Sequence, residues 1–341
     1  MLTYIMHVDL VKNPAHYEAH GWKRELAEAI SSSEELLGLL QLEHLIARTD
    51  QQPAFRLRVP RSYVAKMRMA DENDPLLRQV LPLDEEISSS GMLDPVGDLD
   101  AMVSPGLLHK YHGRVLLITT GACAIHCRYC FRRNFPYSDA SLSQAHWRDA
   151  LAYISDHKDI QEVILSGGDP LVLDDHKLDQ LQRQLGKISH VKWLRIHTRL
   201  PVVLPSRVNN SLLKWIHDSA LRITLVIHVN HANEIGVQEQ AALAALSRAG
   251  ATLLNQSVLL KHVNNSADIL VELSHRLYDC GVLPYYLHCL DKTRGAMHFE
   301  ISQAQALKIM DDMRAKLPGY LVPRLVREQA GEDSKTAIFS I

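Results

Sequence analysis

RVLLITTGACAIHCRYCFRR, residues 114–133, is the stretch that decides how the rest of the chain is read. Its first seven residues are a short apolar run rich in β-branched side chains, the signature of a buried strand. Gly121 and Ala122 end that run, and three thiols follow at once as Cys123, Cys127 and Cys130. Similar runs recur downstream: EVILSGG (162–168), WLRIHT (193–198), RITLVIHV (222–229), TLLNQSVLL (252–260) and LPYYLHCL (283–290). Amphipathic segments separate them; one has Ser266 as N-cap, Ile269, Leu270, Leu273 and Leu277 on one face, and Gly281 just past its end. This alternation predicts strand-helix units around a parallel sheet.

Six units are too few for a closed eight-unit barrel, so the predicted fold is α/β, an open partial (β/α)6 barrel with a helical N-terminal extension. A flat doubly wound sheet is the competing architecture. The barrel is favoured because polar residues gather where the runs end: Cys123, Gly167 to Asp169, His197 to Arg199, then His228, Asn230 and His231, Gln256 and Asp291. In a barrel those positions converge at one mouth.

Upstream, WKRELAEAI has helical spacing and Ser32 to Glu35 fits a capping box. A stretch rich in Pro, Gly, Ser and Asp, Pro82 to Gly106, marks the best boundary. The expected organisation is therefore a mainly helical region over 1–105, the barrel over 106–320 and a C-terminal segment over 321–341.

The 37 basic and 39 acidic residues nearly balance, without long runs of either sign, which argues against nucleic acid and for a small-molecule substrate. The N-terminus lacks a signal-peptide pattern and nowhere do eighteen apolar residues run together, so no membrane partner is expected and the expected location is the cytoplasm. Three of the five cysteines fall in one loop, which suits a metal site in a reducing compartment; Cys280 and Cys289 read as reduced core residues.

A loop of this spacing can wrap three thiolates around one face of a four-iron cubane and leave the fourth iron open to a ligand. The alternative is structural zinc, with His126 as a fourth ligand. The spacing C-x-x-x-C-x-x-C after the first strand resembles the signature of the radical S-adenosylmethionine superfamily, and SGGDPL (166–171) resembles its glycine-rich turn after the second strand. The resemblance implies a [4Fe-4S] cluster whose open iron chelates S-adenosylmethionine, and an electron donor whose one electron releases a 5′-deoxyadenosyl radical. Gly167, Gly168 and Asp169 would then bind that cofactor, because only glycine lets backbone approach a ligand so closely.

PLDEE (82–86), LHKYHGRVLLITTGACAIHCRYCFRR (108–133), RLPVVLPSRV (199–208), HVNHANEI (228–235), NQSVLL (255–260) and PYYLHCLD (284–291) narrow the likeness to the lysine 2,3-aminomutase family, over roughly residues 75–336. Length and the short C-terminus look most like the bacterial branch that makes (R)-β-lysine for elongation factor P. The resemblance implies conversion of L-α-lysine to (R)-β-lysine with pyridoxal phosphate on Lys335, in GEDSKT (331–336). It places the phosphate on Lys110, Arg114 and Gln256, and His228 with His231 beside the cofactors. Arg132 matches the arginine that pairs with the substrate carboxylate, while Asp291 and Glu328 match two acids facing the distal ammonium. Arg128 and Arg133 read as structural or surface neighbours. Lys110 and Glu328 depart from the arginine and aspartate usual in the family, and the glycine run before the lysine is reduced to Gly331. Implied partners are free lysine, the electron donor and a functional link to elongation factor P and its lysine ligase; a homo-oligomer is compatible with the sequence. The alternatives are a related aminomutase acting on glutamate and a zinc-stapled binding module without catalysis.

Overall fold

The computed structural model describes residues 21–50, 55–87, 90–140 and 144–339. The reading of the first twenty residues lies outside these. A single sheet runs through the molecule in chain order. Its strands are β1 (Met102–Ser104), β2 (Leu107–Tyr111), β3 (Arg114–Thr120), β4 (Glu162–Gly167), β5 (Trp193–Thr198), β6 (Arg222–His228), β7 (Thr252–Val258), β8 (Leu283–His288), β9 (Arg324–Arg327) and β10 (Thr336–Ala337).

β3 to β9 are parallel, with helices Gln144–Asp156, Asp175–Leu185, Asn210–His217, Val237–Arg248, Ala267–Asp279 and Gln303–Lys316 in the six crossovers. Each predicted run is a strand, because Val163, Leu165, Leu194, Ile196, Leu225 and Leu253 are all buried as a two-sided parallel sheet requires. All seven parallel strands also send residues into one cavity, among them Leu116, Ile164, Arg195, Thr224, Leu254, Tyr286 and Arg324. A flat sheet cannot turn seven strands toward one space. The sheet therefore curls, and its linear order leaves it open, a (β/α)6 barrel extended by a seventh parallel strand.

The predicted caps hold in detail. Ser266 accepts from the Ile269 amide and Gly281, at φ +73°, ends that helix. Ser32 accepts from the Glu35 amide, but the reciprocal half of the expected capping box is missing: the Glu35 carboxylate pairs with Arg61 instead.

The N-terminal region does not stand apart. Leu36, Leu37, Val59, Tyr63, Leu76 and Val80 are buried in the same core cluster as the strands, each worth about 1.5–3 kcal/mol of burial. The pairing of β1 with β2 crosses the expected boundary at residue 105. The stretch from Pro82 also carries Glu86, whose buried carboxylate pairs with both Arg128 and Arg133 of the cysteine loop, at 2.7 Å for Arg133 Nη2. Both arginines are thus structural. Removing one partner from a buried ion pair strands the others, so Glu86→Ala should cost about 3–5 kcal/mol in denaturant unfolding. A loss below about 1 kcal/mol, typical of exposed pairs, would contradict this tie.

Candidate active site

The barrel mouth opens into a cavity of about 720 Å³. Cys123, Cys127 and Cys130 line it together with Lys110, Arg114, Arg132, Gly167, Gly168, Asp169, His228, Gln256, Asp291, Glu328 and Lys335. Every ligand singled out from the sequence therefore shares one space, except His231. That imidazole is turned away and caps the short helical turn Ala232–Glu234, accepting from the Asn233 amide at 3.1 Å.

The three thiols lie on the loop that leaves β3. Burial, reinforced by the neighbouring cysteines, pushes the Cys130 thiol up to about 11 and Cys123 well above its ordinary value. Such thiols ionise readily only against added positive charge, which a metal centre supplies. His126 does not join them: its Nδ1 bonds to the Arg56 carbonyl at 2.8 Å and its ring stacks on Phe55. Among the described residues no His, Cys, Asp or Glu trio is arranged to hold a single ion. Three thiols without an imidazole on an open cavity wall fit one face of a cubane.

The glycine turn supports that loop directly. Gly167 takes φ +114°, and a Cβ on Gly168 would stand 2.2 Å from the Ala122 carbonyl oxygen. The close approach expected toward a ligand is thus also an approach to the cysteine loop, sealed by Gly168 N to Thr120 O at 2.6 Å and Asp169 N to Ala122 O at 2.8 Å. The Asp169 carboxylate is fully engaged, accepting from Leu171 N, Thr198 Oγ1, Arg199 N and Leu200 N. It ties the ends of β4 and β5 together, and its oxygens are not turned to a ligand.

A chain of charges runs from Arg132, two residues past Cys130, along the cavity wall. Arg132 Nε donates to Asp98 at 2.6 Å and Nη1 to Ser166 Oγ at 2.8 Å. Lys110 bridges the other Asp98 oxygen, at 2.6 Å, to Glu328, at 3.1 Å. Glu328 pairs in turn with Lys335. Burial raises the Glu328 carboxyl, but Lys335 and Lys110 outweigh it and hold the group well below the carboxylate range. The ammonium of Lys110 is thereby committed to two carboxylates, whereas Arg114 has no ion-pair partner among the described residues and stacks its guanidinium 4.7 Å from the Tyr111 ring centre.

Asp291 differs from Glu328. The residue is half-buried, but its Oδ1 is shut from solvent and has no hydrogen-bond partner among the described residues; desolvation followed by repulsion from Glu328 pushes its carboxyl up to about 7. An uncompensated buried carboxylate is costly unless a cation meets it. His228, Tyr129, His197 and His288 complete the wall. Burial pushes His228 down to about 3, and its Nε2 lies 2.9 Å from the Tyr129 hydroxyl. His197 and His288 are also kept neutral by burial, with their Nε2 atoms unpartnered among the described residues.

Lys335 reaches the cavity by a route the sequence reading lacks. β10 folds back antiparallel on β9, with Thr336 opposite Arg327, and so returns Lys335 to Glu328. Two short strands hidden in a polar tail make this possible. Asp98, the hub between Arg132 and Lys110, was also absent from the candidate list, since it lies in the Pro- and Gly-rich stretch without periodic pattern. His197 was already among the strand-end residues expected at the mouth; Ser166 and His288 could have been found from strand alternation, which turns every second residue inward.

An open barrel whose first parallel strand delivers three clustered thiols into its mouth defines a radical S-adenosylmethionine protein, and residues 117–240 match the model of the radical SAM superfamily. That class carries a [4Fe-4S] cluster and S-adenosylmethionine. More particularly, the chain belongs to the L-lysine 2,3-aminomutase family, whose members also use pyridoxal phosphate. It is 46% identical over 337 residues to the L-lysine 2,3-aminomutase of Escherichia coli K12, covering 97% of each chain. With the enzyme of that name from Haemophilus influenzae it shares 44% identity over 334 residues, 96% of this chain and 98% of the relative. With that from Clostridium subterminale it shares 33% over 341 residues, 97% of this chain and 80% of the relative.

Gly168→Ala should force the Ala122 backbone away and disrupt the cysteine loop. Anaerobic reconstitution of that variant is expected to leave markedly less iron and sulfide per chain than wild type; equal loading would show that the loop tolerates the displaced turn.

Proposed function

We propose that this chain converts L-α-lysine to (R)-β-lysine at the barrel mouth. The observation that carries the reading is Asp291, a carboxylate whose buried Oδ1 has no partner among the described residues, in a cavity that already contains the three thiols, Arg132 and Lys335. A substrate with a carboxylate at one end and an ammonium at the other fits such a cavity.

In this reading Cys123, Cys127 and Cys130 hold the cluster, and Lys335 carries pyridoxal phosphate. The cluster with S-adenosylmethionine supplies the radical, and pyridoxal phosphate supplies the conjugation that lets an amino group move between neighbouring carbons. Arg132, held rigid by Asp98 and Ser166, presents its remaining N–H groups to the substrate carboxylate. Asp291 meets the distal ammonium, and Glu328, anionic and next to Lys335, adds negative potential from the other side. Arg114 and Gln256 receive the cofactor phosphate, with Lys110 turned toward it only if its carboxylate partners release it. The neutral His197, His228 and His288 place donors and acceptors around the cofactors without adding positive charge to compete with the ammonium. Partners are free lysine and a one-electron donor. In this reading the product supplies post-translational modification of elongation factor P, the role of the bacterial branch that the sequence resembles; the higher identity to the Escherichia coli relative (46%) than to the clostridial one (33%) supports it.

Glutamate is the rival substrate, and a second carboxylate beside Asp291 would be repelled. Reconstituted, reduced protein given S-adenosylmethionine, pyridoxal phosphate and either amino acid is expected to yield β-lysine and to leave glutamate unchanged. Turnover of glutamate alone would overturn the assignment.

The ammonium contact also fixes a pH dependence. Asp291 must be ionised to meet a cation, and its carboxyl lies at about 7 before substrate arrives. Lysine binding is therefore favoured above that pH and lost below it. The KM for lysine should rise as pH falls below 7, by up to about tenfold per unit for one group. Asp291→Asn should raise KM at pH 8 and flatten the profile; an unchanged profile would remove Asp291 from the ammonium site.

A further inference from the structure

Arg199, just past the end of β5, belongs to none of the ligand sets above, yet it touches one. Its guanidinium is buried and Nη1 donates to Cys127 Sγ across 2.8 Å. Nη2 is held from the other side by Glu234 Oε2 at 2.8 Å, Gln79 Oε1 at 2.7 Å and the Tyr63 hydroxyl at 3.0 Å. Glu234 is itself fixed, accepting from the amides of Asn230 at 2.9 Å and His231 at 3.1 Å and from Gln79 Nε2 at 3.2 Å. The Arg199 amide is anchored on Asp169 at 2.7 Å. A guanidinium pinned on this many sides has no other direction in which to turn.

A buried Arg–Glu pair could be complete without the thiol, so the Nη1 arm needs its own account. A charge-assisted N–H···S bond draws electron density from one cluster sulfur and favours the cluster state with the extra electron. Glu234 opposes it, since its carboxylate cancels part of the guanidinium field a few ångströms further on. The two residues therefore push the cluster in opposite directions.

We propose that Arg199 is a positioning residue for the cluster that raises its reduction potential through Cys127, with Glu234 setting how far. The step concerned is transfer of one electron from an external low-potential donor to the oxidised cluster, taking it from the 2+ to the 1+ state; Arg199 keeps its proton throughout. This rests on the radical S-adenosylmethionine reading of the three thiols and adds a residue that controls when that cluster can be reduced.

The test uses the full chain, reconstituted anaerobically, with iron and sulfide counted and the reduced cluster followed by electron paramagnetic resonance during a mediated dithionite titration. Arg199→Gln should lower the ratio of reduced to oxidised cluster at fixed potential about tenfold, a shift of about 59 mV to more negative values for one electron. Arg199→Lys should restore most of it, and Glu234→Gln should shift the midpoint the other way. The proposal is overturned if Arg199→Gln and Glu234→Gln load iron normally and titrate like wild type, or if both shift in the same direction. Should Arg199→Gln fail to hold iron, Glu234→Gln decides alone: a positive shift supports the proposal, and an unchanged midpoint or a negative shift overturns it. Wild type without any reducible cluster would instead sink the reading of the thiols themselves.

Discussion

A loop carrying three half-buried thiols has no regular hydrogen-bond ladder to hold it, so its shape must come from elsewhere. Here it comes from guanidinium groups taken out of water. Arg128 and Arg133 converge on Glu86, and Arg199 sits between Cys127 and Glu234. Burying such ions is unfavourable unless each donor finds a partner, and that same penalty makes the arrangement specific: any displacement of the loop leaves a charge uncompensated in a low-dielectric interior. The glycine turn works by the opposite means. Gly167 and Gly168 remove side chains so that two backbones can meet, and Asp169 then fastens the turn to the next strand. The thiols are thus held by charge on one side and by backbone contact on the other.

The cavity uses charge differently on its far wall. Two acids that line the cavity, Asp291 after β8 and Glu328 after β9, look alike in sequence, yet their surroundings separate them. Glu328 is ion-paired with two ammonium groups and stays ionised, while Asp291 forms no ion pair among the described residues and is pushed up to about 7, so that it titrates near neutral pH. The pair is therefore not symmetrical: one acid is ion-paired with the protein's own lysines, and the other is not. The longer Glu328 side chain is what lets it reach Lys110 and Lys335 together.

Much of the barrel was legible because parallel strands are continuous apolar runs, and the six runs coincide with β3 to β8 within a residue or two. β9 and β10 were not, since RLVR is brief and Thr336–Ala337 acquires its strand character only by pairing with β9. Local pattern carries no record of a partner that far along the chain. That the three thiols and Lys335 belong together was readable from motif and order, and they share one cavity. Asp98 was not, because a buried hub that draws its importance from Arg132 and Lys110 looks, in one dimension, like any aspartate in a turn. His231 misled for the converse reason: a polar residue at a strand end can as well close a helical turn as line a mouth.

The N-terminal region is where sequence and structure differ most in meaning. Composition set residues 1–105 apart, but Tyr63, Gln79 and Glu86 all reach the machinery around the thiols, and the Arg128 amide donates to the Gln79 carbonyl at 2.9 Å. A barrel open on one side leaves its mouth short of one wall. Before Asp98 the described residues do not line that mouth; they pack behind the cysteine loop, and their core residues belong to the same cluster as the strands. The region is therefore better understood as part of the active site's frame than as an appended domain, and a chain cut at the compositional boundary would lose the partners of its own buried arginines.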